Sequence, residues 1–383
     1  MLSSPSTVHD WMQAIRRPTP YRVGNAKLHL KTRTVAYFML FTVAFLILIV
    51  NILPQNSSKE KCDCSVAYDN RYPLSKPYIT ENGLTYKIAM VTDLDTESKS
   101  KKKENTWLSY LQTGNLTLKS DHSKVTVVLD KKPVTLTSSL SQGGRGMELS
   151  ELVVYNGNLY SVDDRTGIIY FIKNNAVYPW VLLVDGNGTS HKGFKCEWAT
   201  VKHGRLYVGG LGKEWTSAEG KVLNTNPQWV KSIGPKGDVE HIDWKHVYNK
   251  IRKVSGYSYP GYMIHESGMW SDVHQRWFFL PRRASEQSYD ETADESRATN
   301  ILLSANEDFT DVNFKYIGKK QLTKGYSSFR FIPWTDDKLI VALKSQEVSG
   351  KLASYMTVFT LTGEILLPDI KIGDVKYEGI EFV

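Results

Sequence analysis

Hydrophobic residues follow two contrasting patterns along this 383-residue chain. The run "TVAYFMLFTVAFLILIVNIL", at residues 34–53, is predominantly apolar and carries no charge. At about 1.5 Å per residue, a helix of that length spans the roughly 30 Å core of a bilayer. From Lys87 onward, apolar residues instead form short runs rich in Val, Ile, Tyr and Trp, separated by Gly, Asn and Asp. This second pattern predicts β-strands joined by turns, with almost no long amphipathic helix.

The basic charge of the chain is concentrated before the apolar run. The net charge is +8, and the first 33 residues contain six Lys or Arg against one Asp. The positive-inside rule therefore predicts a type II topology, with a cytosolic tail (1–33), a signal-anchor helix (34–53), a luminal stalk (54–86) and an all-β domain (87–383). A cleaved signal peptide fits less well, because its apolar part is about 7–15 residues and ends at small residues. The mild charge of the remainder gives no reason to expect a nucleic-acid partner.

The predicted luminal side carries the sites that such a compartment would modify. Three N-x-S/T sequons occur, at Asn56, Asn115 and Asn187, and all follow the apolar run. Only three cysteines are present, Cys62, Cys64 and Cys196, so disulfides do not hold the fold together. Cys62 and Cys64 could cross-link two stalks into a homodimer, or remain unpaired.

A repeat is visible within the β-rich region. "SELVVYNGNLYSV" aligns with "EWATVKHGRLYVG", and "ESGMWSDVHQRWFFL", "SSFRFIPWTDDKLIVAL" and "EGIEFV" share the same layout. The five repeats begin at Ser150, Glu197, Glu266, Ser327 and Glu378. This spacing favours a five-bladed β-propeller over a sandwich or barrel. "EGIEFV" would be the inner strand of a composite blade completed by "YKIAMVTDLD", which leaves no free sheet edge.

The first residue of every repeat bears oxygen. If these residues begin the innermost strands, three carboxylates and two hydroxyls converge on a central channel, where the carboxylates repel one another unless they are protonated or bind a cation. Calcium accepts six to eight oxygen ligands, whereas zinc prefers His and Cys. The alternative is that these residues cap strands through hydrogen bonds to loops.

Several long motifs resemble the calcium-activated nucleotidases, the apyrase family. They are "VTDLDTES", "ENTWLSYL", "GRGMELSEL", "LYSVDDRTG", "GGLGKEW", "HESGMWSD", "RWFFLPRRAS" and "VKYEGIEFV". The resemblance implies a five-bladed propeller with a channel calcium ion that hydrolyses nucleoside di- and triphosphates, often UDP and GDP. It also implies a calcium shell at the positions of Ser150, Glu151, Glu197, Glu266, Ser327 and Glu378.

Hydrolysis requires an oriented water molecule and positive charge near the phosphate. Asp93 and Asp95 end a predicted strand and are candidates for orienting or activating that water, although Asp is also common in turns. Candidate phosphate-binding cations follow strands, and two further residues could contact the nucleotide. These candidates are Arg165, Lys213, Arg282 and Arg283, with Arg282 in a catalytic role, and Trp215 and His265.

The predicted function is a calcium-dependent nucleoside diphosphatase and triphosphatase in the membrane of the Golgi or endoplasmic reticulum. A secreted form released by stalk cleavage is also possible. Two other classes stay open at this stage. One is a luminal glycoside hydrolase built on a propeller, and the other is a non-catalytic scaffold braced by calcium.

Overall fold

The structure is a computed structural model that describes residues 19–23, 26–30, 36–45, 68–218 and 220–383. Contacts divide the chain into two compact units, Met1–Ala67 and Tyr68–Val383. In the first unit, strands Thr19–Val23 and Ala26–Leu30 form an antiparallel hairpin, and residues 36–45 are helical. Among the described residues, no helix has the length and apolar character needed to cross a bilayer. The remainder of the predicted anchor, Asn56, Cys62 and Cys64 lie outside the described residues.

The second unit is a five-bladed β-propeller, as the repeats predict. Blades 2 to 5 are four-stranded antiparallel sheets, and blade 1 is a six-stranded sheet built on four strands of the same order. Blade 1 contains, from the centre outward, Lys376–Phe382, Gly83–Asp93, Trp107–Leu118 and Val125–Leu129. Blade 2 contains Leu149–Tyr155, Asn158–Asp163, Ile168–Lys173 and Ala176–Leu182. Blade 3 contains Trp198–Lys202, Arg205–Gly209, Trp229–Ile233 and Val239–Asp243. Blade 4 contains Gly268–Ser271, Arg276–Phe279, Ile301–Asn306 and Val312–Tyr316. Blade 5 contains Lys324–Phe331, Leu339–Val348, Lys351–Thr360 and Ile365–Gly373.

Short strands and helices lie outside the four-stranded pattern of the blades. Blade 1 gains the edge strands Tyr78–Thr80 and Val134–Ser138. Two small two-stranded sheets pair Trp215–Thr216 with Val222–Asn224 and Tyr262–Ile264 with Arg283–Ser285. The helices of this unit are the α-helices Lys245–Val254 and Glu291–Asp294 and the 3-10 helices Asp95–Ser98 and Asn226–Gln228. Helix Lys245–Val254 buries Val247, Tyr248 and Ile251 on one face, the spacing of an amphipathic helix.

The inner strands form the core because they are covered on both faces. All seven residues of Leu149–Tyr155 and of Lys376–Phe382 are buried. Outer strands such as Val125–Leu129 alternate between buried and exposed positions. A strand buried on both faces carries continuous apolar character, whereas a half-exposed strand alternates.

The end of the chain closes the propeller. Lys376–Phe382 pairs antiparallel with Gly83–Asp93, with Tyr377 opposite Thr92 and Ile380 opposite Met90. The predicted composite blade is thereby confirmed. Closure leaves very little space, because a Cβ atom added at Gly379 would lie 2.5 Å from the Leu152 nitrogen of blade 2.

A buried arginine ties several inner strands together. Arg330 is 1% exposed and donates hydrogen bonds to the Leu152 carbonyl and, at 3.4 Å, to that of Ala199. It also forms ion pairs with Glu151 at 3.3 Å and with Glu381 at 3.1 Å. Since Arg330 belongs to blade 5 and its partners to blades 1, 2 and 3, this one side chain fixes the relative positions of four blades.

The segment before the first strand packs on the propeller. The Tyr72 hydroxyl donates to Glu381 at 2.9 Å, and the Ser75 hydroxyl donates to the Val383 carbonyl at 2.6 Å. The domain prediction assigns these residues to the stalk, and the second compact unit begins before them, at Tyr68.

We expect Gly379→Ala to destabilise the propeller by about 1–3 kcal/mol, because the new methyl group meets backbone atoms that cannot move aside. Chemical denaturation of the full chain measures this. Gly373→Ala is the matched control, because its Cβ atom would lie 3.1 Å from Cε2 of the Tyr377 side chain rather than from backbone. Equal stability of the two variants would contradict the close approach at Gly379.

Candidate active site

The five repeat starts meet at one end of the central channel. Glu197 and Glu266 lie just before the inner strands of their blades, whereas Ser150, Ser327 and Glu378 lie within the first four residues of theirs. Each of the five is at least 92% buried. The Glu266 and Glu378 carboxylates both pair with Nη1 of Arg282. One cation thus joins the repeat starts of blades 4 and 1.

Burial makes these carboxylates hard to ionise. It raises the pKa of Glu197 to about 8, and the neighbouring Glu266 adds to the shift although Lys195 opposes it. Burial likewise raises the pKa of Glu378 well above its usual value, against the effect of Lys376. Acidic groups held this way gain stability from any cation that enters the site.

The donor set fits an oxygen-preferring divalent cation. The Ser150 hydroxyl oxygen and Oε1 of Glu197 are buried and have no hydrogen-bond partner among the described residues. The Ser327 hydroxyl donates to the Tyr377 carbonyl at 3.0 Å, which leaves its oxygen lone pairs available. Orphaned oxygens beside carboxylates are what a calcium ion would satisfy.

Glu151 differs from the other predicted ligands. Its carboxylate accepts hydrogen bonds from the Leu152 nitrogen and the Ser328 hydroxyl and pairs with Arg330. Its carbonyl accepts a hydrogen bond from the Ser161 hydroxyl at 2.8 Å. The Glu151 side chain is therefore engaged in the Arg330 network rather than left free for a cation.

A second acidic group lies beside the first. One carboxylate oxygen each of Asp93, Glu148 and Asp164 lies within 4.8 Å of the others, and all three residues are buried. Burial raises the pKa of Asp93 to about 6, partly offset by Lys376, and that of Glu148 to about 7, partly offset by Arg145.

Asp95 is more accessible than Asp93 and has a lowered pKa. Burial opposes this shift, but Lys376 and Arg145 outweigh it. The Asp95 amide donates to Oδ1 of Asp93 at 2.7 Å, so the two predicted carboxylates are linked through the backbone.

Cations are interleaved with these acids. Nζ of Lys376 lies 2.6 Å from Asp93 Oδ2, 2.8 Å from Asp95 Oδ2 and 3.6 Å from Glu378 Oε1. Nζ of Lys195 pairs with Asp164 and lies 2.9 Å from Glu197 Oε1. Each lysine thus joins a predicted metal ligand to the second acidic group.

A cavity of about 380 Å³ opens beside this ring. Its lining combines four cations with two aromatic side chains and several acids, and includes Lys195, Lys213, Arg282, Arg283, Trp215, Tyr289 and Glu266. Burial lowers the pKa of Lys213 to about 8, and its Nζ lies 4.1 Å from the centre of the Tyr289 ring. Arg283 pairs with Asp294 at 2.7 Å, and Nε1 of Trp215 has no partner among the described residues.

Two predicted substrate contacts lie elsewhere. His265 is 1% exposed and packs between Tyr248 and Phe279, and burial lowers its pKa to about 3. It is therefore a neutral core histidine. The Arg165 amide donates to Oδ1 of Asp163 in a tight turn, and its side chain is not part of the cavity lining.

A cavity of about 440 Å³ lies at the opposite end of the inner strands, lined by residues that include Tyr68, His203, Trp270, Arg330 and Glu381. Its central charges, Arg330 and Glu381, neutralise each other. The orphaned oxygens lie at the other end, which favours the smaller cavity as the reactive one.

The sequence interpretation overlooked Glu148, Asp164, Lys195, Lys376 and Tyr289. A signal existed for the lysines, because "KCE" and "KYE" place Lys two residues before a repeat-start Glu, on the same side of an extended chain. Asp164 was hidden in "VDDRTG", which has the composition of an ordinary turn.

Comparison with known proteins gives the family of the chain. The family model for Apyrase matches residues 94–383. Soluble calcium-activated nucleotidase 1 of Rattus norvegicus is 55% identical over 316 residues, which cover 82% of this chain and 78% of that protein. The chain belongs to the apyrase family. Apyrase of Cimex lectularius is 42% identical over 365 residues, 95% of this chain and 99% of that protein, and apyrase apy-1 of Caenorhabditis elegans is 44% identical over 349 residues, 90% and 97% respectively.

We expect Glu197→Gln to weaken calcium binding by at least about tenfold, because loss even of an outer-shell partner of a metal site costs that much. Isothermal titration of the full chain with calcium measures it. Glu240→Gln, at a carboxylate that is 70% exposed, is the control. Unchanged affinity in Glu197→Gln would exclude this carboxylate from the cation site.

Proposed function

We propose that this apyrase-family chain is a calcium-dependent nucleotidase that removes the terminal phosphate of UDP, GDP and related nucleoside di- and triphosphates. The ring of buried oxygens is the observation that carries the proposal: the Ser150 hydroxyl has no hydrogen-bond partner among the described residues, and Oε1 of Glu197 is held only by an ion pair with Lys195. The cation-lined cavity beside it has the charge and the aromatic walls that a nucleotide requires. Relatives named calcium-activated nucleotidase and apyrase support the same activity.

Five residues would hold the calcium ion: Ser150, Glu197, Glu266, Ser327 and Glu378. When bound, calcium supplies positive charge against the phosphate oxygens of the substrate. Because the ligands come from all five inner strands, the closed propeller holds them in a fixed arrangement.

We assign the orientation of the attacking water to Asp93, which belongs to the second acidic group. A carboxylate whose pKa is about 6 can accept a proton near neutral pH, and Lys376 fixes its position. The water oxygen attacks the terminal phosphorus while the bond from phosphorus to the bridging oxygen breaks, giving inorganic phosphate and the shortened nucleotide. The proton lost by the water passes to the Asp93 carboxylate.

The cations of the cavity neutralise the charge on the transferred group. Arg282 presents a planar donor set between Glu266 and Glu378. Lys213 and Arg283 line the cavity farther from the ring, and Trp215 offers a face for the base.

We place this activity in the lumen of the early secretory pathway. The uncharged run at residues 34–53 and the basic tail before it support a type II anchor. Hydrolysis of UDP or GDP there would consume a product of glycosyl transfer and relieve product inhibition.

Phosphate release by the full chain tests the activity directly. We expect calcium-dependent release from UDP, GDP, UTP and ADP that magnesium does not support, since the site offers a loose set of oxygen ligands. Glu378→Gln should lower the rate by about 100-fold or more, because it removes a ligand and the partner of Arg282. Glu240→Gln is again the control. If folded, calcium-bound protein released phosphate from none of these nucleotides, the nucleotidase proposal would be wrong and the non-catalytic scaffold would remain.

The luminal placement predicts unequal use of the sequons. Asn187 is exposed in a loop, whereas Asn115 is half-buried within strand Trp107–Leu118, paired on both sides with Lys87 and Val128. In cells with a secretory pathway, Asn187→Gln should remove a glycosidase-sensitive shift in electrophoretic mobility, and Asn115→Gln should leave the pattern unchanged. An unaltered pattern in Asn187→Gln would contradict modification at that residue.

A further inference from the structure

Two lysines occupy the same position in the repeat but have different surroundings. Lys195 lies two residues before Glu197, and Lys376 lies two residues before Glu378. In both cases the residue between the lysine and the glutamate packs into an apolar cluster; these residues are Cys196 and Tyr377. The lysine and the glutamate therefore point to the same side, toward the ring.

The two lysines differ in how much of each side chain is exposed. The Lys376 side chain is 7% exposed, surrounded by Asp93, Asp95 and Glu378. The Lys195 side chain is 28% exposed and lines the 380 Å³ cavity next to Arg282 and Lys213. Of the two, Lys195 is the one that a ligand in the cavity can reach.

The charge that the Lys195 ammonium can offer a ligand depends on whether the Glu197 carboxylate is bound to a cation. Nζ lies 2.9 Å from Oε1 of Glu197, yet that oxygen accepts no hydrogen bond, so the contact is an ion pair of poor direction. Asp164 is the second partner of the ammonium group. Once the Glu197 carboxylate coordinates a cation, one of the two negative partners of Lys195 is neutralised, and the ammonium retains charge that a phosphate can take up.

We propose that Lys195 is a calcium-gated phosphate-binding residue: its ammonium neutralises Glu197 when the channel lacks a cation and binds a phosphate oxygen of the substrate when Glu197 holds calcium. This rests on the proposed function for its substrate class. Calcium and phosphate then strengthen each other's binding, because calcium binds the Glu197 carboxylate and phosphate binds the Lys195 ammonium of the same ion pair.

Two titrations of the full chain test the assignment. Lys195→Met keeps the aliphatic stem and removes the charge, so calcium affinity should stay the same or rise, since a competing cation is lost. In saturating calcium, the affinity for inorganic phosphate and for UDP with a methylene bridge in place of its bridging oxygen should fall at least tenfold. Lys195→Arg should restore most of that loss.

Lys202→Met is the matched comparison, because it removes the same charge from a buried lysine that pairs with Glu307 at the far end of Trp198–Lys202 and does not line the cavity. We expect less than a threefold loss of analogue affinity there. If Lys195→Met does not fold, Lys195→Gln provides a second neutral variant.

The outcomes are distinct. Weaker calcium binding in Lys195→Met would make the lysine a support of the cation site and overturn the proposal. Equal losses in Lys195→Met and Lys202→Met would reveal a general effect of net charge and also overturn it. Calcium-dependent phosphate binding that requires Lys195, in a protein that hydrolyses no nucleotide, would uphold this inference while refuting the proposed function.

Discussion

The compensation of buried charge at the channel end is the constraint on which the site depends. Carboxylates from three blades lie at or near the starts of inner strands within one narrow space, where water cannot solvate them. In this structure, Lys195, Arg282 and Lys376 supply the opposing charge. Such an arrangement is stable only while each acid keeps a partner, which makes it responsive to an added cation.

Closure of the propeller by its last strand makes that space possible. Strand Lys376–Phe382 brings Glu378 and Lys376 beside Asp93, about 280 residues earlier in sequence. At its other end, Glu381 pairs with Arg330, so the same strand extends from the candidate active site to the Arg330 network that holds the inner strands together. Stability and ligand geometry therefore rest on one strand, and Gly379 is required where it passes closest to blade 2.

Residues at equivalent repeat positions have diverged according to what surrounds them. Lys195 faces a cavity and Lys376 is covered, although "KCE" and "KYE" look alike in sequence. His265 precedes a repeat-start glutamate as Cys196 and Tyr377 do, and like them it packs inward, as the alternation of an extended chain requires. Its place in an aromatic core explains why a polar residue beside a predicted ligand is not itself directed into the site.

The sequence by itself determined the number of blades, the composite closure and the five oxygen-bearing repeat starts, because these follow from local periodicity and turn composition that repeat along the chain. Tertiary structure alone decided that Asp93, Glu148 and Asp164 form one acidic group and that Lys195 and Lys376 balance the ring. It also decided that the Glu151 carboxylate pairs with Arg330. These outcomes depend on which distant side chains share a low-dielectric space, and no local pattern encodes that distance or its electrostatic consequence.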